Sequence, residues 1–74
     1  MIKPIIEEEE FISIDFTKET FRKGEYENCS FIKCNFSELH LSNFDFVECI
    51  FEDCNLSNVK LSNAAFKQAK FKNC

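Results

Sequence analysis

The sequence predicts an all-β repeat solenoid with four-sided coils, and three observations lead to this fold class. Apolar residues recur every five positions without a gap, residues 49–68 repeat residues 29–48 with nine identities, and small or apolar positions alternate with polar ones around each centre. The thirteen centre residues of the five-residue period form the expected core columns: Phe11, Phe16, Phe21, Tyr26, Phe31, Phe36, Leu41, Phe46, Phe51, Leu56, Leu61, Phe66 and Phe71.

The five-residue step indicates short strands joined by corners. In a helix with 3.6 residues per turn, each step of five turns about 140°, so these residues would not share one face. In a strand, each centre and the residue two before it point to one side, while the residue between them points away. The expected inward small sites are Cys29, Cys34, Cys49, Cys54, Ala64 and Ala69.

The twenty-residue repeat sets the number of sides at four. Stacking with this period aligns the centres in four columns, such as Phe11 with Phe31, Phe51 and Phe71. Large residues at the small sites, namely Leu39, Phe44 and Val59, require local widening. Glu19 at such a site predicts that the first coil is irregular.

The two ends of the chain depart from the pattern. We interpret residues 1–10 as a lead-in, in which Ile2, Ile5 and Ile6 partly cover the open end of the first coil. The glutamates at positions 7–10 are interpreted as a solvated, disordered run rather than a partner-binding patch. The β-helix is assigned to residues 11–74. Because Cys74 occupies a small site inside a motif and no capping unit follows, the repeats are expected to continue beyond this fragment.

Composition narrows the class of protein. The net charge of −4 divides into −4 for residues 1–27, −4 for residues 28–54 and +4 for residues 55–74, so a uniform nucleic-acid-binding stripe is absent. No apolar run approaches the roughly 20 residues of a membrane span, and the start lacks a signal-peptide core. We therefore expect a cytoplasmic protein that contacts neither membrane nor nucleic acid. Its five cysteines are expected to be reduced.

The sequence predicts neither an enzyme nor a metal site nor a cofactor site. Cys29, Cys34, Cys49 and Cys54 form two C-x4-C pairs, but the repeat already explains this spacing, and structural zinc sites use shorter spacings. The single histidine, His40, falls at an outward position with no nucleophile beside it. The sequence shows no glycine-rich phosphate-binding loop, no catalytic-triad order and no pair of carboxylates expected to share a pocket.

The stretches CSFIKCNF, CIFEDCNLSNVKLSNAAF and QAKFKNC resemble the pentapeptide-repeat proteins. This resemblance implies a right-handed quadrilateral parallel β-helix, here of about three coils. It also implies a non-enzymatic bacterial interaction or structural module whose protein partner is unknown. Because the last coil exposes unpaired strand edges, end-to-end self-association is expected as well.

A narrower resemblance leads to the alternative hypothesis. The cysteine-rich, phenylalanine-centred repeats are similar to the quinolone-resistance members of that family, which imply a DNA mimic that binds DNA gyrase and modulates quinolone sensitivity. Under this alternative, the acids on or beside one side of the coil form the partner face. These candidate residues are Glu25, Glu27, Asp45 and Glu48.

Overall fold

The protein is a four-sided parallel β-solenoid in a computed structural model that describes residues 4–74. Strands β1, β3, β5 and β7 form one parallel sheet, called side 1, and β2, β4, β6 and β8 form a second, called side 2. The strand bounds are β1 Ile5–Glu7, β2 Glu10–Ile12, β3 Glu25–Glu27, β4 Ser30–Ile32, β5 Asp45–Val47, β6 Ile50–Glu52, β7 Ala65–Lys67 and β8 Lys70–Lys72.

Every strand pairs with the strand twenty residues further on, as Tyr26 pairs with Phe46 and Phe31 with Phe51. The described chain therefore forms three coils, residues 5–24, 25–44 and 45–64, followed by a half coil. No helix occurs among residues 4–74. The prediction of an all-β solenoid of about three coils with a period of twenty is confirmed.

The remaining two sides are narrower and are joined by single bridges. Side 3 carries the bridges Asp15–Asn35 and Asn35–Asn55, and side 4 carries His40–Lys60. On side 3, the Oδ1 atoms of Asp15, Asn35 and Asn55 each accept a 3.0 Å hydrogen bond from the backbone N–H two residues later. This local turn competes with a longer strand, so the ladder on side 3 stays one residue wide.

The corners depend on a left-handed backbone two residues after each centre. Twelve non-glycine residues adopt φ between 54° and 65°, and five of them are asparagine, which tolerates this region. In the first coil, Lys18 and Lys23 also lie two residues after a centre, but neither has a positive φ. There the N–H groups of Lys18 and Glu19 both donate to the Asp15 carbonyl at 3.1 Å. The prediction of an irregular first coil is confirmed.

The core lies in the middle coils and consists of stacked rings. Phe31 and Phe51 stack with centroids 4.9 Å apart, whereas Phe31 and Phe36 meet edge to face at 5.7 Å. Among the expected core columns, Phe16, Tyr26, Phe31, Phe36, Leu41, Phe46 and Phe51 are buried, Phe11, Phe21, Leu56 and Phe66 are half-buried, and Leu61 and Phe71 are exposed. Burial therefore falls off toward both ends of the stack.

Phe44 fills a site that the repeat usually gives to a small residue. Its ring is buried and stacks on Phe21 at 4.9 Å and on Phe46 at 5.8 Å. Gly24 occupies the same site one coil earlier, where a Cβ atom would lie only 2.6 Å from the Pro4 carbonyl oxygen. Leu39 and Val59 are half-buried against the core.

The beginning of the chain differs from the expected lead-in. Ile5–Glu7 forms β1 and pairs with β3, so the strand stack begins six residues before the expected start at Phe11. Ile6 is the middle residue of β1, pairs with the centre Tyr26, and lies five residues before Phe11, so it is one more centre of the repeat. The glutamates at positions 7–10 are exposed but ordered in β1, a corner and β2, which corrects the disordered interpretation. Ile5 is 58% exposed, so it does not cover the core, and Ile2 lies outside the described residues.

Candidate interaction surface

Side 1 gathers acidic side chains into two vertical rows. In-register pairing places Glu25 of β3 beside Asp45 of β5, and Glu7 of β1 beside Glu27 of β3. Glu48 follows β5 at the next corner. Parallel neighbours in a sheet are about 4.8 Å apart, so these carboxylates lie close along the solenoid axis. The structure thus brings the four expected acids together on or beside one side.

The carboxylates of side 1 perturb each other electrostatically. The pKa of Glu27 is raised above its ordinary value, first by a hydrogen bond with Glu25, then by partial burial and by the nearby charges of Glu25, Glu7 and Glu48. Like charges disfavour ionisation of their neighbours. A cationic group placed against these rows would relieve that repulsion.

The acidic character ends with the third coil. In the half coil, Ala65 continues the row of Glu25 and Asp45. The row of Glu7 and Glu27 continues through Val47 to Lys67. Side 2 shows the same reversal. There the row that begins with Glu10 continues through Ser30 and Ile50 and ends with Lys70, so one end of the solenoid is acidic and the other basic.

The inward cysteines belong to the core. Cys49 donates its thiol to the Tyr26 carbonyl and Cys54 to the Phe31 carbonyl, both at 3.2 Å and both to the centre residue 23 positions earlier. Burial raises the pKa of each of these thiols to about 11. Neutral thiols are poor nucleophiles and metal ligands. The remaining small sites are Cys29 and Cys34, which are buried, and Ala64 and Ala69, which are half-buried.

Other side chains do not converge on a chemical site. His40 is exposed on side 4 beside Lys60. Within the described part of the chain, no group of three or more His, Cys, Asp or Glu residues is placed to hold a metal ion. Residues 4–74 contain no helix that is long and apolar enough to cross a bilayer.

Two apolar cavities lie at the ends of the solenoid. The first, of about 330 Å³, is lined by Leu56, Leu61 and Phe71 among others. The second, of about 290 Å³, is lined by Phe11, Phe21 and Glu9 among others. Both cavities are open ends of the stack, where the next coil would otherwise pack.

Glu7 also belongs to the acidic surface, although the solenoid predicted from the sequence begins only at Phe11. Two signals in the sequence place it there. Ile6 lies five residues before Phe11, and Glu7 lies twenty residues before Glu27. These two spacings extend the repeat by one step toward the start of the chain.

Comparison with known proteins identifies the repeat. A family model described as "Pentapeptide repeat region" matches residues 24–74, which is more than two thirds of the chain. A search of curated proteins found no match.

Proposed function

Because the chain belongs to the pentapeptide-repeat family, we propose that it is a non-enzymatic interaction module that binds a basic protein surface through side 1. The acidic rows on side 1 are the observation that carries this proposal. β-Solenoids of this family are generally non-enzymatic. The acid surface to which we assign binding consists of Glu7, Glu25, Glu27, Asp45 and Glu48.

The acid surface is preorganised. Its strands are held by parallel pairing on both flanks of β3 and β5, and buried Tyr26 and Phe46 lie directly beneath it. A surface that is rigid before binding loses little conformational entropy on association. The raised pKa of Glu27 supports a cationic partner, since lysine or arginine groups would stabilise the ionised form.

A lysine-rich decapeptide tests this proposal. In heteronuclear NMR titrations, we expect shifts concentrated in β3 and β5 and binding that weakens as salt is added. Replacing Glu25, Glu27 and Glu48 by glutamine should reduce binding about tenfold, because about 1.4 kcal/mol of charge interaction is lost. The matched control replaces Glu38 and Glu52 by glutamine and Asp53 by asparagine.

The control carries the same change in net charge on other sides of the solenoid. It should bind the peptide nearly as well as the unchanged chain. Equal losses in both triple variants would show that only net charge matters. That result would remove side 1 as the binding surface.

A second candidate function is mimicry of duplex DNA toward DNA gyrase. Its support is the acid density: the second coil presents Glu25 and Glu27 on side 1, and the third presents Asp45 and Glu48 on or beside it. B-DNA carries one charge per about 1.7 Å, which is about three per coil rise. Two acids per coil approach this value, but one acidic row ends at Val47 and the other at Ala65. We therefore rank this function second.

Supercoiling assays decide between the two functions. A DNA mimic should inhibit gyrase in a salt-dependent way and alter its response to a quinolone, and replacing both Asp45 and Glu48 by lysine should abolish these effects. Unchanged supercoiling at micromolar protein, with and without the drug, would remove the gyrase hypothesis. That result would leave the general interaction module in place.

A further inference from the structure

The two ends of the solenoid are complementary in strand geometry. Among residues 4–74, β1 and β2 form the outer edges of their sheets at one end, and β7 and β8 form the outer edges at the other. All strands on sides 1 and 2 have three residues, and each residue pairs with the residue twenty positions later in the chain. A second copy can therefore continue both sheets in the same register, with β1 next to β7 and β2 next to β8.

The backbone hydrogen bonds inside the solenoid show which groups would join the two copies. The first N–H of each upper strand donates to the residue before the strand below, as Ala65 donates to Phe44 and Lys70 to Cys49, both at 2.9 Å. The N–H after each strand donates upward, as Glu48 donates to Lys67 at 2.7 Å.

Repeating this pattern across the junction joins four pairs of groups. Two N–H groups of the second copy donate to the first copy, and two N–H groups of the first copy donate to the second. In the second copy, the N–H of Ile5 donates to the Ala64 carbonyl of the first copy, and the N–H of Glu10 donates to the Ala69 carbonyl. In the first copy, the N–H of Gln68 donates to the Glu7 carbonyl of the second copy, and the N–H of Asn73 donates to the Ile12 carbonyl.

Charge selects this register. The side chains of Lys67 and Lys70 are exposed on the last strands, and those of Glu7 and Glu10 are exposed on the first. In the continued register, Lys67 lies beside Glu7 of the second copy and Lys70 beside Glu10 of the second copy. Turning the second copy by half a turn would instead place Lys72 beside a like charge, Arg22, and would leave one attractive pair, Lys60 with Glu10.

Aromatic stacking also continues across the junction. Phe11 stacks on Phe31 at 4.9 Å, and Phe51 stacks on Phe71 at 5.0 Å. Phe71 is 49% exposed at the open end. The continued register covers it with Phe11 of the second copy and extends the same column of rings.

We propose that copies of this chain associate head to tail, with β7 and β8 of one copy pairing with β1 and β2 of the next. This contact is made at the two ends of the stack, and Glu7 is the one residue that it shares with the acid surface on side 1. The two contacting surfaces differ, and the second copy continues along the same solenoid axis, so the contact generates an open fibre rather than a ring. Each copy contains three and a half coils but advances the fibre by four, or about 19 Å at the ladder spacing. Sides 3 and 4 therefore stay open over half a coil at each junction.

Glu9 limits the strength of this contact. It falls in the column of inward small sites that contains Cys29, Cys49 and Ala69, and it lines the apolar cavity at its end of the solenoid. A carboxylate enclosed between two copies is costly to desolvate. Inward charges at a sheet edge also restrain edge-to-edge association. Replacing Glu9 by alanine should therefore strengthen the association.

Sedimentation velocity of the 74-residue chain over a range of concentrations tests the proposal. The unchanged chain should form larger species as concentration rises, and salt should reverse this growth. The variants E7K/E10K and K67E/K70E should each associate about tenfold more weakly, because two attractive charge pairs become repulsive. Mixing the two variants restores opposite charges at every junction and should restore association.

The controls are K23E/K33E and E38K/E52K, which change net charge equally at positions outside β1, β2, β7 and β8. They should associate like the unchanged chain, and circular dichroism should show that all variants keep their β structure. A monomer at every concentration would overturn the proposal, as would a mixture that fails to reassociate. In the half-turn register, Lys60 lies beside Glu10 of the second copy. Weaker association of K60E with unchanged association of K67E/K70E would therefore indicate that register and would also overturn the proposal. Weaker association of E9A would contradict the role given to Glu9.

Discussion

Replacing Phe31 by alanine should remove about 3–5 kcal/mol from the free energy of unfolding, the usual range for a buried phenylalanine. Phe31 is fully buried and stacks on Phe11 and Phe51, each at 4.9 Å. A chain of 74 residues is expected to be stable by about 4–11 kcal/mol. The substitution should therefore consume a large part of the total stability.

Phe71→Ala is the matched control, since it makes the same change in the same column of rings. Phe71 is 49% exposed and stacks only on Phe51 within that column. We expect a loss of about 1–2 kcal/mol, in proportion to the area removed from water. The difference between the two variants isolates burial from residue type.

Urea unfolding followed by far-UV circular dichroism measures both values, because the chain contains no tryptophan. Measurements at several protein concentrations separate unfolding from association. Equal losses at the two positions, or a larger loss at Phe71, would refute the assignment of the core to the middle coils.

Two further predictions concern the thiols and the corners. The free energy of unfolding should fall between about pH 9 and pH 11, because Cys49 and Cys54 have pKa values near 9.0 when unfolded and about 11 when folded, so the unfolded chain loses its thiol protons first. Urea titrations across this range should show a smaller fall in the double variant with alanine at both positions, and an unchanged slope would contradict the assignment. Lys33→Asn should raise stability by about 0.5–1 kcal/mol, because Lys33 has φ 55° and asparagine tolerates that region better. Lys23→Asn, in the same repeat position without positive φ, should bring no gain in the same urea assay.

Much of the architecture could be predicted because the same pattern of centres and small sites recurs every five residues along the chain. A five-residue step excludes a helix, and the identity of Cys29 with Cys49 and of Phe31 with Phe51 fixes the stacking distance in the sequence. The acidic surface followed from the same count, since Glu25 and Asp45 are twenty residues apart. Repeated local information of this kind reinforces itself along the chain.

The first coil could not be predicted in the same way, because its sequence matches the rule only in part. Ile6 is an acceptable centre, but four consecutive glutamates predict a disordered segment, and the pairing of β1 with β3 contradicts that prediction. Between Asp15 and Glu19, hydrogen bonds to the Asp15 carbonyl replace the usual corner. The fit of Phe44 also depended on three-dimensional packing, since its ring stacks on Phe21, 23 residues earlier.

The uniform offset of twenty residues also constrains how such a gene can change. Deleting twenty consecutive codons within residues 25–64 removes one coil and leaves every remaining residue with neighbours of the same repeat class. Deleting five codons rotates all later residues by one side, so three-residue strands would meet sides built on single bridges. Deleting one codon exchanges inward and outward side chains. Surviving length variants should therefore differ by whole coils, and smaller changes should be confined to the irregular turn at residues 15–24.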